Sequence, residues 1–163
     1  MKPLIINVIF ILLLVAKAEP FLLYCPLHVP HTPLMAPSYL LDKYNWIKDE
    51  KRQKFAAMVD ALDSSIGQIV ETLDDEGIRD NTLILFFSDN GSNSDDGWGS
   101  NSPLRGAKSS VFEGGIRTPA FMNWPAVLPS GQKCEQVITV MDLFPTLAAV
   151  VGLETKNVKG VSP

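Results

Sequence analysis

The feature that most constrains the fold is one almost entirely apolar segment followed at once by polar residues. Residues 82–87 read Thr-Leu-Ile-Leu-Phe-Phe, and residues 88–91 read Ser-Asp-Asn-Gly. A short apolar run of this kind is typical of a central strand buried on both faces of a sheet. In open α/β sheets, ligands bind beyond the carboxyl ends of the strands. Asp89 and Asn90 are therefore placed for chemistry by their position alone.

A long amphipathic helix precedes this segment. Apolar residues recur at three- and four-residue steps between Asp49 and Glu76, which predicts one helix with a single apolar stripe. Gly77 follows at the position where a helix C-terminal glycine is expected. The stripe consists of Phe55, Met58, Val59, Leu62, Ile66, Ile69, Val70 and Leu73.

The remaining patterns complete an alternation of strands and helices. Short apolar runs predict strands at residues 21–27, 119–124 and 136–139. A second helix is predicted over residues 141–151, with Asp142 and Pro145 at its start and Gly152 at its end. Together these elements predict an α/β domain.

Composition narrows the functional classes. The length of 163 residues suits one domain, and the formal net charge is −4 with no run rich in Lys or Arg, so we expect no nucleic-acid binding. The two cysteines, Cys25 and Cys134, are too few for a disulfide framework or a four-cysteine zinc site. They are compatible either with one bridge or with two buried thiols.

The N-terminus resembles a secretory signal peptide. Lys2 precedes an apolar run from Leu4 to Ala16 that is broken only by Asn7, and residues 16–18 read Ala-Lys-Ala. These features predict a signal peptide over residues 1–18 and a mature domain over residues 19–163. A buried strand or an incorrect start site would explain the same run. No later run is long enough to span a membrane.

Asp89 and Asn90 form the first candidate site, a metal site. A carboxylate beside an amide carbonyl offers hard oxygen donors, which suit Ca²⁺ or Mg²⁺. Two donors are too few for a calcium site, and Asp-Asn-Gly is also an ordinary turn sequence. Asn90 opens an Asn-Gly-Ser glycosylation sequon as well, and a glycan would exclude a metal from this residue.

Two further candidates carry nitrogen. His31, with His28 as its rival, lies in a proline-rich loop, where it is either a proton donor or an ordinary surface histidine. Lys108 ends an Arg-Gly-Ala-Lys segment whose glycine lets an anion approach closely, although a solvated basic loop explains the same residues.

Several motifs in this order resemble the sulfatase family, and arylsulfatase B-like enzymes in particular. They are Pro-His-Thr-Pro-Leu at 30–34, Ser-Asp-Asn-Gly at 88–91, Pro-Leu-Arg-Gly-Ala-Lys at 103–108, Phe-Glu-Gly-Gly-Ile-Arg-Thr-Pro at 112–119 and Asp-Leu-Phe-Pro-Thr-Leu at 142–147. The resemblance implies an alkaline-phosphatase-like α/β fold, a mixed sheet flanked by helices, with a bound calcium ion.

The resemblance also implies roles for individual residues. Asp89 and Asn90 would be calcium ligands, and His31 would protonate or hold the leaving-group oxygen. Lys108 would bind a sulfate oxygen. By this resemblance Lys108 and His31 would each have a catalytic and a substrate-binding role. Arg105 and Arg117 would be structural.

The 163 residues depart from the family pattern in one respect. Sulfatases of this type carry an earlier segment with a paired-Asp metal site and a Cys/Ser-x-Pro-x-Arg motif whose first residue becomes the formylglycine nucleophile. The residues after Cys25 and Cys134 do not match that motif, and we do not transfer the paired-Asp role to Asp95 and Asp96. The chain therefore resembles an incomplete domain, the central and C-terminal part of a sulfatase catalytic domain.

We accordingly expect a sulfuric ester hydrolase of the arylsulfatase type that acts on a sulfated glycan or an aryl sulfate. We expect these 163 residues alone to be inactive, because the covalent route needs the formylglycine nucleophile. A partner or a missing segment would complete the sheet. The expected location is the secretory pathway, lysosomal or extracellular. The alternatives are a non-catalytic sulfatase-like protein that binds sulfated glycans or a complete sulfatase, and a hydrolase of phosphoesters.

Overall fold

The computed structural model describes residues 21–93 and 98–154. The chain forms two compact units that meet in sequence between Trp124 and Pro125. The signal peptide predicted over residues 1–18 and the Asp95-Asp96 pair lie outside the described residues.

The first unit contains every residue of the candidate site. Its elements are α1 (Ser38–Lys43), α2 (Glu50–Asp75), a short 3₁₀ turn (Arg79–Asn81), β1 (Ile84–Phe87), α3 (Glu113–Ile116) and β2 (Ala120–Asn123). The second unit contains a 3₁₀ turn (Val140–Asp142) and α4 (Leu143–Val150).

The long helix α2 begins and ends within one residue of its prediction. Asp49 caps the N-terminus, where its side chain accepts a hydrogen bond from the backbone N–H of Arg52 at 2.7 Å. At the other end Gly77 has a φ of 66°, and the backbone N–H of Ile78 reaches the carbonyl of Leu73 at 3.0 Å. This Schellman arrangement needs a left-handed residue, which is why glycine ends the helix.

The core of the first unit lies along α2. Ala57, Met58 and Leu73 are buried, and Leu40 of α1 is buried as well. A hydrogen bond from the side chain of Gln53 to the carbonyl of Leu41, at 2.9 Å, holds α1 against α2. The apolar stripe of α2 is only partly covered, since Val59 remains 40% exposed.

The strand β1 is less buried than its sequence predicts. It pairs with β2 in antiparallel register, with Ile84 opposite Asn123 and Phe87 opposite Ala120. The expectation of a strand buried on both faces is wrong, because β1 is half-buried and Phe87 is 43% exposed. Within the described residues β1 has β2 as its one neighbour, so the expected mixed sheet is represented by two strands.

Two other strand predictions are also wrong. Residues 21–27 and 136–139 are irregular rather than extended strands. An apolar run becomes a strand only where a neighbouring strand satisfies its backbone hydrogen bonds. The side chains of Leu22 and Val137, for example, are 81% and 88% exposed.

The predicted helix at 141–151 is confirmed in shortened form. The 3₁₀ turn precedes α4, and Thr139 and Asp142 bond each other's backbone in a capping box. Gly152, with a φ of 73°, ends the helix.

The two cysteines are free thiols. Cys25 is half-buried, and burial raises the pKa of its thiol, whereas Cys134 is exposed. Neither a bridge nor a pair of buried thiols therefore describes them. Among the helices in residues 21–93 and 98–154, none is both long and apolar enough to cross a bilayer.

Two glycines test how α2 is built. We expect Gly77→Ala to lower the free energy of unfolding by about 1 kcal/mol, because an alanine at this left-handed position is strained. Gly67 lies inside α2, and a Cβ there meets no atom within 4 Å, so Gly67→Ala is the matched control and should raise stability by about 0.5–1 kcal/mol. Urea denaturation followed by circular dichroism measures both, and equal effects of one sign would contradict the assigned helix end.

Candidate functional site

The end of β1 is held in place by the chain that leads into β2. The backbone N–H of Ser88 donates to the carbonyl of Pro119 at 3.1 Å, and the hydroxyl of Thr118 donates to the carbonyl of Ser88 at 3.0 Å. The hydroxyl of Ser88 in turn donates to the carbonyl of Asn90 at 3.0 Å. Asp89 and Asn90 therefore leave the sheet from a fixed backbone.

The side chains at this position offer oxygen donors. Asp89 is exposed, and Asn90 is half-buried. The side-chain N–H of Asn90 donates to the carbonyl of Gly91 at 3.0 Å, so its amide oxygen is left to accept or to coordinate. Carboxylate and amide oxygens of this kind are donors that suit a hard cation.

The number of donors does not suffice for a calcium ion. Within residues 21–93 and 98–154, no group of three or more His, Cys, Asp or Glu side chains is close enough to share a metal. Calcium takes six to eight oxygen ligands in general. Asp89 and Asn90 alone therefore do not make a calcium site, and their role as metal ligands stays a prediction.

His31 is held in one tautomer by its own loop. Its Nδ1 lies 2.8 Å from the carbonyl oxygen of Thr32, and a carbonyl only accepts, so Nδ1 carries the proton. His28 also reaches this carbonyl, through Nε2 at 3.3 Å, and the two rings lie 5.0 Å apart. The Nε2 atom of His31 is consequently left with its lone pair.

That lone pair faces Lys108. The Nζ atom of Lys108 lies 3.4 Å from Nε2 of His31, so the ammonium donates to the imidazole. The two residues are 77 positions apart in sequence. Of the two histidines in the loop, the structure brings His31 to Lys108 and places His28 behind it as a neighbour of the same carbonyl.

The backbone of Lys108 is tied to the segment that follows β1. Its N–H donates to the carbonyl of Ser92 at 3.2 Å. Ser92 is three residues beyond Asp89, so a backbone hydrogen bond joins the lysine segment to the Asp89–Asn90 segment. The next residue, Ser109, has a φ of 70°, which is a costly backbone conformation for any residue with a Cβ.

Glycines allow three backbone segments to meet around this point. The N–H of Gly91 donates to the carbonyl of Gly115 at 2.9 Å, and the N–H of Gly114 donates to the carbonyl of Arg105 at 2.7 Å. A Cβ on Gly91 would lie 1.7 Å from the carbonyl oxygen of Gly114, and a Cβ on Gly114 would lie 2.2 Å from that of Gly106. Side chains are excluded here because backbone packs directly on backbone.

The two arginines near the site have partners within the protein. The guanidinium of Arg105 lies 3.8 Å from the centre of the Phe112 ring, a cation–π contact. Arg117 pairs with Glu113 at 3.4 Å along α3. Structural roles for both arginines stay predictions, since the Arg117–Glu113 pair is exposed.

Two contributors to the site were missed by the sequence analysis. Trp98 is buried, its ring contacts Phe55 of α2 at 5.1 Å, and its carbonyl accepts a hydrogen bond from Arg52. Asn101 bonds the backbone of both the Ser92 and the Gly106 segments. A lone tryptophan in a polar loop was a usable signal for Trp98, whereas Asn101 lies among Gly, Ser and Asn residues that equally suit a turn.

Comparison with known proteins shows the family of the chain. A family model described as Sulfatase matches residues 3–153. The chain belongs to the sulfatase family. The matched range begins inside the predicted signal peptide, which stays a prediction.

The similar proteins are sulfatases of considerably greater length. The chain is 36% identical over 132 residues to mouse arylsulfatase J and 37% identical over 141 residues to human N-acetylgalactosamine-6-sulfatase. These alignments cover 81% and 85% of this chain but 22% and 26% of the relatives. The chain thus spans about a quarter of the length of these curated relatives.

A solved structure shares the fold. The crystal structure of Ps i-CgsB in complex with k-i-k-neocarrahexaose matches with a TM-score of 0.83 and 39% identity over 89% of this chain and 32% of that chain. The fold prediction is therefore confirmed: the chain is an incomplete α/β domain of the alkaline-phosphatase-like kind.

The tautomer of His31 gives a direct test of the site. We expect the neutral imidazole to carry its proton on Nδ1, because Thr32 holds that proton and Lys108 occupies Nε2. Nitrogen-15 NMR of the imidazole ring distinguishes the two tautomers, and Lys108→Met should shift the Nε2 resonance of His31. Lys133→Met is the control, since Lys133 is exposed and pairs with Glu135. An Nε2–H tautomer in the unaltered protein would contradict the arrangement.

Proposed function

We propose that this chain carries the leaving-group side of a sulfatase active site, and that the complete protein hydrolyses sulfate esters of glycans. The observation that carries the proposal is the contact between Lys108 and His31, 3.4 Å apart and brought together from distant loops. A cation beside an imidazole suits an ester whose departing oxygen gains negative charge.

The substrate class follows from the relatives. One relative is an N-acetylgalactosamine-6-sulfatase, and one similar structure holds k-i-k-neocarrahexaose. Both point to carbohydrate. We therefore favour a sulfated glycan over a simple aryl sulfate, and a sulfate ester over a phosphoester.

Lys108 would hold the anion. Its ammonium now donates to Nε2 of His31, and an incoming sulfate oxygen is a stronger acceptor because it is charged. The ammonium is a compact point charge on a flexible stem, while its backbone is fixed by Ser92. It can therefore turn toward the anion without a movement of the loop.

His31 would serve the leaving oxygen. To donate a proton, Nε2 must first receive one, and the resulting imidazolium would face the Lys108 ammonium at 3.4 Å. A sulfate oxygen that lay beside both groups would accept a hydrogen bond from each of them. The hydrogen bond from Nδ1 to Thr32 keeps the ring oriented during this exchange.

A calcium ion would complete the site. Asp89 and Asn90 would hold it together with donors from a further segment, and it would neutralise negative charge on the bound sulfate. The same segment would carry the nucleophile and complete the sheet beside β1. A location in the secretory pathway, lysosomal or extracellular, belongs to this proposal.

The binding part of the proposal can be tested on the 163 residues themselves. We expect inorganic sulfate to shift the His31 ring resonances in an NMR titration, and we expect Lys108→Met to weaken sulfate binding at least about tenfold through loss of a charged hydrogen bond. Lys133→Met is the matched control, because Lys133 is exposed and paired with Glu135 in the other unit. Equal weakening by both variants would mean that sulfate binding depends on net charge and not on Lys108 in particular.

Catalysis itself separates the main proposal from its alternative. We expect no aryl sulfate hydrolysis by the 163 residues alone. A protein that only binds glycans would give the same result. Hydrolysis that His31→Ala abolishes would show that these residues suffice. In the protein that includes the completing segment, absence of turnover would favour the non-catalytic alternative, a protein that binds sulfated glycans or another sulfatase.

Calcium binding gives a separate prediction for that completed protein. We expect Asp89→Asn to weaken calcium binding, measured by calorimetry, because affinity follows the number of charged oxygen ligands. Asp80→Asn is a suitable control, since Asp80 lies in the 3₁₀ turn before β1. Unchanged affinity in Asp89→Asn would remove Asp89 from the metal site.

A further inference from the structure

The loop between β1 and Lys108 contains one polar side chain with an unusual set of partners. The carboxamide of Asn101 uses its oxygen and both of its N–H hydrogens in hydrogen bonds to backbone. The oxygen accepts from the N–H of Ser92 at 2.8 Å, and the nitrogen donates to the carbonyls of Ser92 at 2.8 Å and Gly106 at 3.2 Å.

This pattern fixes the orientation of the amide. Two partners are carbonyl oxygens, which only accept, and the third is a backbone N–H, which only donates. A flipped carboxamide would oppose oxygen to oxygen and nitrogen to nitrogen. Asn101 therefore pairs with Ser92 as a neighbouring strand would, through both its N–H and its C=O.

Asn101 and Lys108 converge on one atom. The carbonyl oxygen of Ser92 accepts from the side chain of Asn101 and also from the backbone N–H of Lys108, at 2.8 and 3.2 Å. Through Gly106 the same carboxamide holds the turn that leads to Lys108. One side chain thus sets the lysine segment against the segment that begins with Asp89 and Asn90.

The loop that carries Asn101 is itself anchored. Trp98 is buried against Phe55, and Arg52 donates to its carbonyl. Gly99 lies directly on Ser92, since a Cβ on Gly99 would come within 1.6 Å of the Ser92 hydroxyl. Contacts with α2 therefore help to hold the loop that carries Asn101 in position.

We propose that Asn101 is a positioning residue that acts through Lys108: it fixes the Lys108 backbone, from which the ammonium reaches His31, against the segment that follows β1. The proposal rests on the proposed function only for the use to which Lys108 is put. A displacement of about 1 Å in such a group costs as much as a hundredfold in rate, so a residue that touches no substrate can govern activity here.

The test is a double-mutant cycle read at His31 by NMR of the full 163-residue chain. Lys108→Met defines the change in the His31 ring resonances when the ammonium is removed. Asn101→Ala should shift them in the same direction by a large part of that change. The double variant should match Lys108→Met alone, because the proposal has Asn101 act on His31 through Lys108. Ser102→Ala, exposed on the same loop, is the control and should leave the resonances in place.

Asn101→Asp sharpens the cycle. It retains the oxygen that accepts from Ser92 but sets a carboxylate oxygen against the carbonyls of Ser92 and Gly106, so its effect at His31 should be at least as large as that of Asn101→Ala. Unmoved His31 resonances in Asn101→Ala, or additive shifts in the double variant, would overturn the proposal.

A measurement on the unaltered chain covers the case in which the variants do not fold. The side-chain amide protons of Asn101 should show nuclear Overhauser effects to the backbone amide protons of both Ser92 and Lys108. Absence of these effects would overturn the proposal equally. If the cycle holds while sulfate does not bind to Lys108, the positioning role stands and the proposed function fails, so the two are separable.

Discussion

The candidate site depends on a single contact, the one between the Lys108 ammonium and Nε2 of His31. An ammonium and an imidazole attract each other only if the imidazole is neutral and presents a lone pair. Nδ1 of His31 donates a hydrogen bond to the carbonyl of Thr32, and Nε2 is left to face Lys108. The contact thus places an ammonium directly in front of a ring nitrogen, an arrangement that suits the reception of an anion.

Close approach of the chain segments around Lys108 accompanies this contact. Gly91, Gly106 and Gly114 let three segments approach to hydrogen-bonding distance, and any Cβ at these positions would meet a neighbouring atom well inside van der Waals contact. The site is therefore specified by backbone geometry, and the chemistry is supplied by the few side chains that leave this framework. A flexible lysine side chain on a fixed backbone suits a group that exchanges one hydrogen-bond partner for another.

Much of this could be predicted from the sequence, but not all of it. The limits of α2 follow from local signals, an Asp49 cap and a Gly77 stop, and local signals are readable in one chain. The burial of β1 and the strands predicted at 21–27 and 136–139 failed because an apolar run becomes a buried strand only where neighbouring strands cover it and satisfy its backbone hydrogen bonds, and a local pattern does not reveal such neighbours. The pairing of Lys108 with His31 is likewise non-local; only the resemblance of the motifs to a family indicated it.

Asn101 shows a different limit. Its residue type and its setting are those of an ordinary polar turn, and its role arises from the coincidence of three backbone groups that come from two segments. Such a role is defined by geometry rather than by composition. By contrast, the oxygens of Asp89 and Asn90 were evident from their place after β1, although no group of three or more metal-binding side chains forms within the described residues.

The most direct test of the central claim is the position of a bound oxyanion. Crystals of the protein soaked in selenate, with data collected at the selenium absorption edge, would locate the anion by its anomalous signal. The account predicts a selenium peak whose oxygens lie within hydrogen-bonding distance of both Nζ of Lys108 and Nε2 of His31. A selenate ion bound elsewhere, with these two atoms still facing only each other, would contradict it.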